Sequence, residues 1–229
     1  MFYTIGWPAD GKYAECYPVD AEYTSEGVSR CPSCNGAWEG RYWTHPRTLK
    51  ITKSKYPDFI WTTPYPAVSE RFKQLYEASG LTGILEFDPI ENYILRKNAP
   101  EAPHYYTFKR FRSRMKIDYE KSKIKWLDAF TKYCPICHPM GKTFSEIYSL
   151  VLDEENYEGM DVFILNETGM GTYVSERFIE FVRENGLTNL AVYALNDIKT
   201  RIIIENEPKK RQKGTAGMRG KKRETDYKV

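Results

Sequence analysis

Along most of this chain apolar residues come in short runs separated by polar turns. Two stretches break that rhythm in the same way. Residues 68–87 read VSERFKQLYEASGLTGILEF and residues 174–193 read VSERFIEFVRENGLTNLAVY; they align without a gap at an offset of 106, with eight of twenty positions identical. Val68, Phe72, Leu75 and Tyr76 fall on one helical face, as do Val174, Phe178, Phe181 and Val182, which is the spacing of a helix that buries one side. Ser69 and Ser175 stand at the N-cap positions, and Glu70 and Glu176 in the first turn suit the helix dipole. Gly80 and Gly186 stop the helices, with Leu81 and Leu187 placed to fold back over the cap. Apolar runs flank each helix: Phe59-Ile60-Trp61 before the first and Val162 to Leu165 before the second, Ile84 to Phe87 and Leu190 to Tyr193 after them. The pattern predicts strand, helix, strand, twice over.

Two cysteine pairs join this repeat. CPSC (31–34) lies 34 residues before Val68, and CPIC (134–137) lies 37 before Val174. The expected class is therefore α/β (α+β), built as two pseudo-equivalent strand-helix-strand lobes joined by a four-cysteine zinc site. Residues 1–97 form the first lobe, 98–114 a basic, proline-containing connection, 115–207 the second lobe, and 208–229 a disordered basic tail.

The cysteines have three readings: a structural metal site, reduced thiols without metal, or redox thiols. A redox pair needs a strand before it and a helix N-terminus at it; Thr24–Arg30 before Cys31 is turn-like, and Pro139 opposes a helix after Cys137. A zinc knuckle needs a tight turn, which proline favours after the first cysteine, and φ > 0 after the second, where Asn35 and His138 stand. One pair supplies two ligands and structural zinc takes four, so Cys31, Cys34, Cys134 and Cys137 are expected to hold one Zn2+ per chain. Cys16 reads as a plain thiol.

Charge divides the chain sharply. Residues 208–229 hold nine Lys or Arg against Glu224 and Asp226, leaving residues 1–207 four charges on the acidic side. Such a tail is too polar to fold alone. The acidic run Asp153-Glu154-Glu155 with Glu158 is a candidate surface for a basic partner, and the 18 tyrosines suit half-buried sheets or contact surfaces. FKRFRSRMK (108–116) interleaves aromatics with five cations; it reads either as a nucleic-acid contact or as an edge strand guarded by charge. His45, His104 and His138 form no metalloenzyme spacing, and no phosphate loop appears, so no enzymatic role is expected. No stretch approaches a membrane span, and Met1–Asp10 does not read as a secretory signal, so a cytoplasmic, bacterial protein is expected.

CPSC with Asn35-Gly36, CPIC with His138, and the SERF…GLTG segment at 69–83 resemble the bacterial double-CXXCG motif proteins known as a myxobacterial paralogous family. The chain departs from that pattern where Asn35 and His138 replace the glycine after each pair. The VSERFK…GLTGILEF stretch is also similar to segments of immunity proteins that neutralise polymorphic toxins. That resemblance implies a small cytoplasmic antitoxin whose partner is a cognate toxin domain; with the cysteine site, a zinc-stabilised immunity protein is expected, and a nuclease toxin would suit the acidic body. The alternative is a zinc-containing nucleic-acid-binding protein that uses the basic tail.

Overall fold

A computed structural model describes residues 1–6, 8, 12–24, 30–33, 35, 42–62, 66–126, 132–134, 138–140, 144–165 and 171–203. Its strands before the first helix are β1 (Phe2–Gly6), β2 (Cys16–Val19), β3 (Tyr23–Thr24), β4 (Tyr42–Trp43), β5 (Thr48–Ile51), β6 (Phe59–Trp61) and β7 (Pro66–Ser69). Helix α1 (Glu70–Ser79) leads into β8 (Ile84–Pro89), β9 (Asn92–Leu95), β10 (Tyr105–Ser113), β11 (Lys116–Ile117), β12 (Lys123–Trp126), β13 (Lys132–Cys134), β14 (His138–Met140), β15 (Phe144–Ser149) and β16 (Leu152–Asp153). A 3-10 turn at Glu154–Asn156 precedes β17 (Val162–Leu165), β18 (Thr172–Ser175), α2 (Glu176–Glu184), β19 (Ala191–Ala194) and β20 (Asp197–Ile203). The class is mixed α+β, dominated by strands.

Both copies of the repeat build one nine-stranded sheet, in the order β20-β19-β1-β18-β17-β10-β7-β6, with β8 also on β10. Each copy is a strand pair, a helix and a returning strand: β6-β7-α1-β8 and β17-β18-α2-β19. The strands that run straight into the helices, β7 and β18, were not expected, because a run buried on both faces shows no alternation; all four residues of each are buried. Each copy also takes an inserted strand. β10 lies between β7 and β8, and β1 lies between β18 and β19, each antiparallel to those two neighbours; β10 also runs parallel to β17, where the copies join.

Side chains alternate across this sheet. Val68, Phe108, Val162, Val174, Tyr3 and Ile5 face the helices and join Phe72, Tyr76, Phe178, Ile179, Phe181 and Val182 in one core. The Phe72 ring sits 6.3 Å from Phe178 and 6.0 Å from Phe181, so α1 and α2 pack against each other as well as on the sheet. Behind the sheet lie two further cores. Ile60, Ala67 and Tyr105 of the first copy pack on Cys16, Leu49 and Ile51 of a three-stranded sheet, β2-β5-β9. Phe163, Leu165 and Tyr173 of the second pack on Ile117, Leu150 and Leu152 beside the pairs β11-β16 and β12-β15.

Most of the identical letters of the repeat have identical work. Ser69 Oγ accepts from Phe72 N–H (3.2 Å) and Ser175 Oγ from Phe178 N–H (3.3 Å), the expected caps. Glu70 accepts from the hydroxyl of Tyr106 on β10, and Glu176 from Tyr3 on β1 at 2.7 Å. Gly80 and Gly186 have φ of 71° and 59°. After Gly186 the bonds Gly186 N–H to Arg183 O (3.1 Å) and Leu187 N–H to Val182 O (3.0 Å) complete a Schellman motif. Ser79 does this work at the first helix: its hydroxyl donates to Tyr76 O and accepts from Leu81 N–H.

The remaining identities, Ser, Arg and Thr, meet at two buried aspartates. Asp58 accepts from Ser69 Oγ (2.9 Å) and Arg71 Nη1 (3.0 Å) of its own copy, and from Thr188 N–H and Oγ1 (both 2.9 Å) of the other. Asp161 accepts from Ser175 Oγ (2.6 Å) and Arg177 Nη1 (3.2 Å) of its own copy, and from Thr82 N–H (3.0 Å) and Oγ1 (3.3 Å) of the first. The copies are thus stitched reciprocally, each carboxylate spanning both. Hydrogen bonds to a charged acceptor contribute about 1.5–3 kcal/mol each.

Candidate functional site

Of the four expected zinc ligands, Cys31 is the one whose side chain the structure describes. It is buried, 1% exposed, at the head of a turn through Pro32 and Ser33. Asn35 has φ of 57° and donates its N–H to Cys31 O at 2.8 Å, while Arg30 Nη1 donates to Asn35 O at 3.1 Å. A left-handed residue at this position is what a knuckle requires. Cys134 ends β13, paired with His138 at the start of β14. His138 is therefore a strand residue and not the left-handed turn residue expected of it. Cys34 and Cys137 lie outside the described residues, as does the basic tail, residues 208–229. The two motifs occupy corresponding places, CPSC between the paired strands β3 and β4, CPIC between the paired strands β12 and β15. Cys16 is separate. It lies in the core behind the first copy, and burial, then the nearby Glu15, pushes its thiol up to about 12, a value that leaves it inert at neutral pH.

The acidic run splits in two. Asp153, Glu154 and Glu155 are exposed, with Asp153 capping the 3-10 turn through Glu155 N–H (3.2 Å). Asp153 and Glu154 rim an open groove of about 600 Å³ lined by Lys116, Asp118, Tyr119, Lys121 and Leu152. Glu158 is not part of that surface. It accepts from Ser113 Oγ (2.7 Å) and from Arg114 N–H and Nε (2.9 and 3.0 Å); these bonds outweigh its burial and hold its carboxyl below the usual range.

FKRFRSRMK is mostly the interior strand β10, flanked by β7, β8 and β17, so it is not an edge. Lys109 pairs with Glu86, Arg114 with Glu158, and Arg110 donates to Thr172 Oγ1 at 2.7 Å. Lys109 and Arg110 thus reach β8 and β18 of the same sheet, and Arg114 reaches the segment before β17. Many tyrosines are structural too: Tyr105 donates to Pro57 O at 2.8 Å, and Tyr76 accepts from Ile84 N–H at 3.0 Å.

One charged cluster had no signal in local spacing. Arg47, 4% exposed, donates to Trp43 O (2.9 Å through Nε), to Pro89 O (3.0 Å) and to Asp88, and its own N–H donates to Glu91 at 2.7 Å. His45 bridges Asp88 (3.1 Å) and Glu91. Burial opposes ionisation of Asp88 and Glu91, but Arg47 and His45 more than offset it and hold both carboxyls below the usual range. The cluster fastens β4 and β5 to the turn between β8 and β9.

The described polar groups thus do two things: buried ones fasten elements, and exposed ones form charged surfaces. The chain belongs to the immunity protein family Imm11, whose family model matches residues 39–197. CPIC lies within that span and CPSC before it. No curated protein matches the chain. Among the described residues no helix is long and apolar enough to cross a membrane.

Proposed function

We propose that this chain is a zinc-stabilised, cytoplasmic immunity protein that neutralises a cognate bacterial toxin by direct, stoichiometric binding and without turnover. The observation that carries the reading is the Imm11 match across 159 residues, which takes in both copies of the repeat and their aspartate clamps. A protein of this kind needs a scaffold that does not rearrange on binding, because ordering costs subtract from affinity. Interlocked copies supply one.

One Zn2+, held by Cys31, Cys34, Cys134 and Cys137, would join the inserts behind the two copies as a clamp between pseudo-equivalent lobes. The first pair supports this reading through a buried Cys31 thiol, a tight turn and a left-handed Asn35. Bound zinc would supply a structural cross-link and no chemistry. If the toxin is a nuclease, its basic cleft has a counterpart in the exposed run Asp153, Glu154 and Glu155 beside the groove, and such complementarity mainly speeds association.

The test is growth rescue. Residues 1–207, expressed with the toxin, should restore growth and co-purify with it. Rescue that needs residues 208–229, or that works far below stoichiometry, would move a nucleic-acid or enzymatic role ahead.

A further inference from the structure

The outer face of the three-stranded sheet β2-β5-β9 is at odds with the acidic character of the chain's body. Its register sets Tyr17 opposite Lys50 and Lys50 opposite Ile94. The inward neighbours Cys16, Leu49 and Ile51 fill the core, so Tyr17, Lys50 and Ile94 make one row across the outward face. Tyr17 is 49% exposed and Ile94 46%. Val19, Thr48 and Asn92 form the adjoining row.

One end of this sheet is basic. β5 and β9 run parallel and β2 antiparallel, so the segments after Ile51, after Leu95 and before Cys16 converge there. Thr52 N–H to Glu15 O and Ala14 N–H to Lys55 O, both 3.1 Å, fasten two of them. Across segments 12–19, 48–56 and 92–101 stand six exposed cations, Lys12, Lys50, Lys53, Lys55, Arg96 and Lys97. They face two carboxylates, Glu101 and Glu15, and Glu15 is held by the Tyr17 hydroxyl at 2.7 Å. Lys55 lies over the Tyr13 ring, 4.4 Å from its centroid.

We infer that this face is a docking surface for the toxin, and that the toxin surface it covers is acidic with an apolar centre. The inference rests on the immunity reading. Three strands about 4.8 Å apart and four residues long cover roughly 150–200 Å², against about 800 Å² per partner in an ordinary interface. The sheet row is therefore the centre, and the lysine loops are needed to complete the contact. An apolar, tyrosine-bearing centre beside charge is the anatomy of a protein interface. The surface is opposite in sign to the groove rim, so the two are separable.

The experiment uses the full chain and its cognate toxin domain. Affinity is measured for wild type, Lys50→Glu, Ile94→Glu and Lys53→Glu/Lys55→Glu. All changed side chains are exposed, and melting curves check that each variant folds. The account expects each sheet-face variant to bind at least tenfold more weakly, with the loss at the lysines shrinking at high salt. Wild-type binding with unchanged affinity in all three sheet variants overturns this inference alone. Failure of wild type to bind the toxin overturns the immunity reading and this inference with it. Loss of duplex DNA binding in the lysine variants, with toxin affinity intact, would assign the face to nucleic acid instead.

Discussion

Replacing Asp161 by alanine should be among the most damaging single changes in the protein. Its carboxylate is 1% exposed and takes four hydrogen bonds, two from Thr82, one from Ser175 and one from Arg177. Removal strands the Ser175 hydroxyl in the interior and the Thr82 N–H in a partly buried turn. A buried donor left without an acceptor costs about 1–3 kcal/mol, and a bond to a charged acceptor sits at the upper end. Arg177 adds little, since its side chain is 61% exposed and can turn to water. The total is about 3–5 kcal/mol. Asp58→Ala should match it within about 1 kcal/mol, because Thr188, Ser69 and Arg71 repeat the arrangement. Arg177→Ala and Arg71→Ala should each cost less than about 1 kcal/mol. Urea unfolding followed by tryptophan fluorescence reads this directly. With a slope of about 2–3 kcal/mol per molar, the aspartate variants should lower the midpoint by about 1.5 M. A loss under about 1 kcal/mol in either aspartate variant, or arginine variants as damaging as the aspartate ones, would refute the reciprocal clamp as a source of stability.

Other outcomes follow from the same structure. Gly83→Ala should destabilise severely, because φ there is 106° and a Cβ would stand 1.9 Å from Val162 O; wild-type stability in that variant would contradict the close approach of the two copies. Elemental analysis should find about one zinc per chain, and Cys31→Ser with Cys134→Ser should cost far less than the sum of the single changes; full additivity would separate the pairs. Asp88 and Glu91 titrate below the ordinary carboxylate range in the folded state. Their contribution is therefore complete above the unfolded value near pH 4 and is lost as pH falls through the folded values. Acid titration of Asp88→Asn should show a shallower loss of stability, and an unchanged acid limb would contradict the network.

How much of this could be read beforehand depended on where a residue's partners lie. Helices, caps and stops are set by neighbours within a few positions, and Ser69, Ser175, Gly80 and Gly186 were all legible. The strands β7 and β18 were not, because burial on both faces erases their alternation. The aspartate clamps were half visible. Thr82 and Thr188 stood out as identities, but Asp58 and Asp161 lie 103 residues apart while the helices lie 106 apart, so an ungapped alignment misses them. The shared sequence Asp-apolar-apolar at 58–60 and 161–163 was the available signal. The acidic run 153–155 was legible as surface, whereas the fate of Glu158 required knowing that Arg114 folds back on it. The row Tyr17, Lys50 and Ile94 joins three distant segments through strand register, which composition cannot supply.

The central claim is neutralisation by binding, and titration of the toxin's activity tests it most directly. Increasing amounts of this chain, added to a fixed amount of toxin well above their dissociation constant, should abolish activity linearly with an endpoint at one chain per toxin domain, and the product should run as a complex of that composition. Abolition at a small fraction of equivalence, with the toxin released chemically altered, would contradict the account and make this chain an enzyme.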